Sequence, residues 1–197
     1  MKKTTRLLWE ILALCLVLLS GCAGSGGRQP DAVGADASGE SPAQEEPARE
    51  AESSAIFVTF EGTDLEGNAV SQEVFSQSKL TMVNVWATYC NPCLSEMPGL
   101  GELAAEYDPS EFQIIGVVSN VREGDDQALV ESLVQETGAN YPHLLANDSI
   151  NRALLAGVSG VPTTFFFDGE GAYLGGVVGA AEKSAWEELI HELLEGQ

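Results

Sequence analysis

The chain has 197 residues with 30 acidic against 9 basic side chains, a formal charge of −21 and an isoelectric point near 4.1. That balance excludes a nucleic-acid binder, which needs cations to displace counterions from phosphates, and it excludes electrostatic attraction to anionic lipid. The length and the 44% hydrophobic content fit one domain with a real core and appended segments.

Residues 1–21 begin with Lys2, Lys3 and Arg6, continue through an apolar run from Ile11 to Leu19 and end in small residues. This is the charged, apolar, small-residue order of a secretory signal. Glu10 interrupts the apolar side, and the run falls short of the ~20 residues of a membrane span. The sequence LSGC, Leu19 to Cys22, resembles the lipobox of bacterial lipoproteins. The resemblance implies cleavage before Cys22 and acylation of that residue, which would anchor the protein. Residues 22–54, rich in Gly, Ala, Ser, Pro and Glu, cannot bury enough apolar surface to offset their ordering entropy, and are expected to be a flexible acidic spacer.

A folded domain is expected over 55–197. Ile56–Phe60 reads as a short strand, and Gly67-Asn68 as a turn before a second extended piece. Leu80–Ala87, apolar and rich in β-branched residues, has the character of a strand buried on both faces. After the first cysteine of the domain, Leu94, Met97, Leu100, Leu103 and Ala104 recur at helical spacing. Phe112–Ser119 is a second buried strand. Residues 126–137 form a helix with Leu129, Leu133 and Val134 on one face, stopped by Gly138. A short helix precedes Gly157, a hairpin turns at Asp168–Gly171, and a last helix, Glu182–Leu194, buries Trp186, Leu189, Ile190 and Leu193. Alternating strands and helices closed by a hairpin imply an α/β domain with a mixed sheet and helices on both faces.

The chemistry concentrates in WATYCNPCLSEMP, Trp86 to Pro98. Of the four cysteines, Cys15 leaves with a signal and Cys22 would carry lipid, so Cys90 and Cys93 are the thiols of the domain. The pair follows a buried strand and starts a helix. Cys90 therefore sits where unpaired N–H groups and the helix dipole favour a thiolate, the reactive form. Pro92 suits the first helical turn. Cys93, one turn in, is placed to attack a mixed disulfide from within. A zinc site lacks a second ligand pair, since His143 and His191, the two histidines, have no ligand spacing; both read as packing or surface residues, and no metal is expected. An inert staple stays open, although so small a loop stabilises little. Glu96 reads either as a proton acceptor for the thiols or as an exposed first-turn glutamate complementing the helix dipole.

The same segment resembles the active site of membrane-anchored, thioredoxin-fold thiol–disulfide oxidoreductases of the TlpA/ResA type, and GVPTTFFFD, Gly160 to Asp168, resembles that fold's cis-proline loop. The likeness extends over roughly Ile56 to Leu194 in element order. It implies a thioredoxin-like fold with an N-terminal strand extension, Cys90 as attacking thiol, Cys93 as resolving thiol and Glu96 as the acidic partner. It further implies Trp86, Tyr89, Pro92, Val161 and Pro162 as the substrate-facing surface, with Val161 offering backbone hydrogen bonds beside a cis Pro162. Tyr89 stands where the family usually has tryptophan. The expected activity is reduction of disulfides in exported proteins, apocytochrome c among them, on the extracytoplasmic face of a bacterial membrane. A membrane electron donor would regenerate the enzyme, and the Cys90–Cys93 disulfide would be the only redox group. Reversal as a disulfide-forming oxidant, and a non-catalytic docking lipoprotein, are the alternatives; a peroxide-reducing enzyme fits the paired cysteines less well.

Overall fold

A computed structural model describes residues 55–196, so the leader, Cys22 and the acidic spacer lie outside the described residues. Its core is a five-stranded mixed sheet of order β5-β4-β3-β6-β7. The strands are β3 (Leu80–Trp86), β4 (Phe112–Arg122), β5 (His143–Ala146), β6 (Thr163–Asp168) and β7 (Tyr173–Val178). β3, β4 and β5 run parallel, while β6 is antiparallel to both β3 and β7. Every residue of β3 is buried, as the uninterrupted apolar run requires of a strand covered on both faces.

Each face has its own core. On one, Met82, Trp86, Ile114, Val118 and Phe166 meet helices α1 (Asn91–Glu106), α2 (Ala128–Thr137) and α4 (Lys183–Glu195). On the other, Val83, Val85, Ile115, Val117 and Phe167 meet Phe60, Phe75, Ile150 and Leu154. The second core seats an N-terminal hairpin of β1 (Glu61–Thr63) and β2 (Ala69–Ser71), together with the short helix α3 (Asp148–Ile150) and the π-turn Asn151–Leu155 that extends it. Phe75 stacks on Phe167 at 4.5 Å between ring centroids.

Several expectations shift. The N-terminal strand is Glu61–Thr63 and not Ile56–Phe60: Ile56 and Phe57 are exposed, and the segment makes one isolated bridge, Phe57 to Ala172. Leu129 is also exposed, and Val130 carries the buried face of α2. Two elements escaped the sequence, the 3-10 turn Gln72–Gln77 and β5.

His143, at the start of β5, is 2% exposed. It faces Gly116 on β4, which in turn faces Asn84 on β3 and then Thr164 on β6. A polar row thus crosses an otherwise apolar face beneath α1. Gly116 is obligatory in that row, because a Cβ there would lie 2.0 Å from His143 Nδ1. The imidazole has one arrangement: the Trp86 indole N–H donates to Nδ1 at 3.1 Å, so Nδ1 is bare and Nε2–H donates to the Ala139 carbonyl at 3.0 Å. Burial pulls its pKa down to about 4, with the Ala139 carbonyl opposing.

Two outcomes follow. α1 crosses the end of α2 so closely that a Cβ on Gly101 would lie 2.1 Å from the Gly138 carbonyl oxygen. Overpacking of ~1–3 kcal/mol outweighs the ~1 kcal/mol helix-propensity gain of alanine. Gly101→Ala should therefore lower the urea midpoint, and an unchanged midpoint would refute this close packing. For His143, the unfolded chain binds a proton below pH 6.5 and the folded chain only near pH 4, so stability present above pH 6.5 is lost as pH falls toward 4. Measured against His143→Gln, so that other carboxylates largely cancel, the loss should approach about 3 kcal/mol.

Candidate active site

The turn between β3 and α1 delivers both cysteines. Cys90 is the N-cap of α1, with Asn91 and Pro92 opening the helix. Its backbone N–H donates to the Ala87 carbonyl at 3.0 Å. Its Sγ accepts the Cys93 N–H at 3.2 Å. That is the contact a thiolate uses at a helix N-terminus, where orphan donors and the dipole both favour negative charge. The two sulfurs form a disulfide, with the Cα atoms 5.3 Å apart. Cys90 is 6% exposed and Cys93 fully buried, so Cys93 is the less accessible of the two. The turn is braced from β4: Ser119 Oγ donates to the Trp86 carbonyl at 2.9 Å, and Asn120 engages both the N–H and the Oγ1 of Thr88.

Against the expectation of a substrate-facing ring, Trp86 is wholly buried and packs in the core, and Pro162 is buried too, whereas Tyr89 is 73% exposed and Pro92 is exposed. The Val161–Pro162 bond is cis. Val85 pairs with Thr163, so continuing the antiparallel register sets Pro162 across from Trp86, next to the cysteine turn. Val161 packs against the core cluster that contains both cysteines. Among the described residues, no hydrogen bond engages the Val161 backbone, while Pro162 offers its carbonyl to Gly179 N at 2.9 Å. The structure therefore brings Cys90, Cys93, Trp86, Tyr89, Pro92, Val161 and Pro162 to one end of the sheet. Cys22 lies outside the described residues.

Glu96 is not the exposed first-turn residue of the simpler reading: it is 6% exposed. One turn beyond Cys93 on the same face of α1, its Oε1 accepts the Asn84 side-chain N–H at 3.0 Å and its Oε2 accepts Ala181 N–H at 3.1 Å. Asn84 is fixed by a second donation, to Thr164 Oγ1 at 3.1 Å. Burial raises the Glu96 pKa above the usual carboxylate range; the Ala181 N–H, the Asn84 amide and, more weakly, the Trp186 indole pull it back. Trp186 Nε1 itself makes no full hydrogen bond among the described residues. Tyr141, also buried, has its phenol raised by burial and then by the Glu96 charge. A cleft of about 430 Å3 opens beside α1, lined by Pro92, Ser95, Glu96, Glu102, Ala181 and Lys183. Its one cation, Lys183, is held by Glu106 at 2.7 Å and Glu102 at 3.4 Å.

Asn84, Thr164, Ala181 and Trp186 were missed by sequence reasoning. One signal could have found Asn84: an amide inside a strand buried on both faces needs a partner, and Glu96 is that partner. Among the described residues no cluster of side chains could hold a metal ion.

The AhpC/TSA family profile matches residues 54–172. The thiol:disulfide interchange protein HelX of Rhodobacter capsulatus is 35% identical over 118 residues, covering 60% of this chain and 62% of HelX; the chain thus spans less than two thirds of that relative. The thiol-disulfide oxidoreductase ResA of Halalkalibacterium halodurans is 28% identical over 138 residues, covering 70% of this chain and 73% of ResA. Among solved structures, a thiol:disulfide interchange protein of the thioredoxin family from Chlorobium tepidum superposes with a TM-score of 0.62 at 25% identity, covering 71% of this chain and 96% of that one. With the cysteine pair at the head of α1 and the thioredoxin sheet behind it, the chain belongs to the AhpC/TSA family and, within it, to the thioredoxin-fold thiol–disulfide oxidoreductases.

Proposed function

We propose that this oxidoreductase works as a reductase of disulfides in exported proteins, apocytochrome c among them, at the extracytoplasmic face of a bacterial membrane. The observation that carries the reading is the Cys90 sulfur at the α1 N-terminus, accepting the Cys93 N–H with a buried carboxylate one turn below. In the reduced protein the Cys90 thiolate attacks one sulfur of a substrate disulfide; that S–S bond breaks, a mixed disulfide forms and one substrate thiolate leaves. Cys93 gives up its proton and attacks Cys90 Sγ, expelling the second substrate thiolate and closing the Cys90–Cys93 bond. Two electrons have passed to the substrate, and a membrane thiol donor must return them.

Glu96 suits the proton transfer. Its carboxylate, raised by burial, is a better acceptor than an exposed one, and it lies on the Cys93 side of the helix. The exposed Tyr89 ring and the Val161 backbone would dock an extended substrate segment. Attachment through a lipidated Cys22 supplies the membrane location; among the described residues, no helix is long and apolar enough to cross a membrane. The disulfide itself is the only redox group the reaction uses.

The reduction potential of the Cys90/Cys93 pair, set in thiol buffers and read by thiol trapping, tests the direction. A value near or below about −230 mV is expected, whereas one near about −120 mV would make the protein an oxidant. A pair that never equilibrates would leave only a docking module. Cys90→Ser should abolish exchange, and Cys93→Ser should accumulate the mixed disulfide on a gel. Glu96→Gln should slow resolution by about tenfold to a hundredfold. Because the Glu96 pKa is raised, the wild-type rate should climb with pH above the ordinary carboxylate range, and Glu96→Gln should lose that limb.

A further inference from the structure

One buried group is left unused by disulfide exchange and is tied to the cysteines on two sides. We infer that His143 is a positioning residue for exchange: as a bare-nitrogen acceptor it holds the Trp86 indole, and it thereby fixes both the turn that presents Cys90 and the seat of the helix that carries Cys93.

The first tie runs through Trp86. The indole N–H is a donor only, and His143 Nδ1 takes it at 3.1 Å. The two rings meet edge to face at 5.6 Å. Trp86 is the last residue of β3 and lies four positions before Cys90. Its carbonyl is already held by Ser119 Oγ. With ring and carbonyl both fixed, the start of the cysteine turn has no freedom to rotate.

The second tie runs through Ala139. His143 Nε2–H donates to the Ala139 carbonyl at 3.0 Å. Ala139 follows Gly138, the left-handed cap that ends α2 at φ 69°, and Gly138 is the residue against which Gly101 of α1 rests. One imidazole therefore links the strand that leads into Cys90 to the surface that supports α1. The ring has no slack, with Tyr141 packed on it at 4.6 Å and the Gly116 backbone beneath it. An aliphatic residue would fill that space without leaving an imidazole to keep neutral, but it would leave the Trp86 N–H buried and unpaired.

This inference rests on the exchange reading, and its test separates the two. Second-order exchange with a disulfide-bearing peptide is measured for wild type, His143→Leu, His143→Gln and Trp86→Phe, each at a urea concentration giving the same folded fraction. 15N-tryptophan spectra follow the Trp86 indole N–H. His143→Leu and Trp86→Phe should each exchange about tenfold more slowly than wild type. His143→Gln, which keeps one acceptor and one donor, should stay within about threefold of wild type and retain the protected indole signal. The double variant Trp86→Phe/His143→Leu should be no slower than either single one. If His143→Leu does not fold, Trp86→Phe against His143→Gln decides. A wild type without exchange sinks the exchange reading. An active wild type whose Leu and Phe variants stay within twofold of it, or whose His143 carries its proton on Nδ1 in 15N-histidine spectra, overturns this one.

Discussion

A single register line across the sheet sets the terms for the site. His143, Gly116, Asn84 and Thr164 stand side by side on β5, β4, β3 and β6, on a face that elsewhere holds Leu, Met, Phe and Trp. Polar groups in such a place must find partners or cost the fold their desolvation. Here the Asn84 Nδ2 donates to Thr164 and Glu96 while its Oδ1 has no partner among the described residues, and His143 bonds Trp86 and Ala139. The line reaches the redox segment twice, through Asn84 to the carboxylate below Cys93 and through His143 to the indole ahead of Cys90. A shift of β3 by one residue would turn Asn84 to the opposite core and break the carboxylate's anchor, so sheet register and site chemistry are fixed together.

The two ionisable groups tied to this line, Glu96 and His143, behave differently toward protons. Glu96 is buried with two donors and remains ionisable above the ordinary carboxylate range, which suits a group that must exchange a proton during each cycle. His143 is held in one tautomer by a donor-only neighbour and has its pKa pulled down to about 4, which suits a group that must not titrate while the enzyme works. Burial acts on both groups. Its effect disfavours the anion in the first case and the cation in the second.

Much of this was legible in the sequence where residues close in the chain carry the signal. The buried strands expected at Leu80–Ala87 and Phe112–Ser119, the helix behind the cysteines and the terminal hairpin all follow from local periodicity and turn residues, and they stand in the structure as β3, β4, α1 and β6–β7. Cys90 at a helix start required only the order strand, turn, helix. Local signals misled where burial depends on distant partners. Ile56 and Phe57 look like strand residues but are exposed, because beyond the single Phe57–Ala172 bridge continuous pairing begins at Glu61. Leu129 and Val130 are adjacent and equally apolar, and only the placement of α2 decides between them. β5 is four residues long, too short to show a period. The burial of Glu96 depends on Asn84 and Ala181, the latter 85 positions away, and His143 meets Trp86 across 57. No window of sequence joins such residues.

The close seat of His143 on Gly116 has a consequence for how such a chain can vary. The imidazole occupies the volume that any Cβ at 116 would need, so the two positions are mutually exclusive rather than independent. A glycine at 116 with a small residue at 143 is a viable intermediate, whereas a histidine at 143 opposite an alanine is not. The order of change is therefore forced: glycine first, histidine second, with the reverse path closed by steric overlap. Once both are in place the pair acts as a ratchet. Position 116 cannot acquire a side chain until 143 has given up its ring.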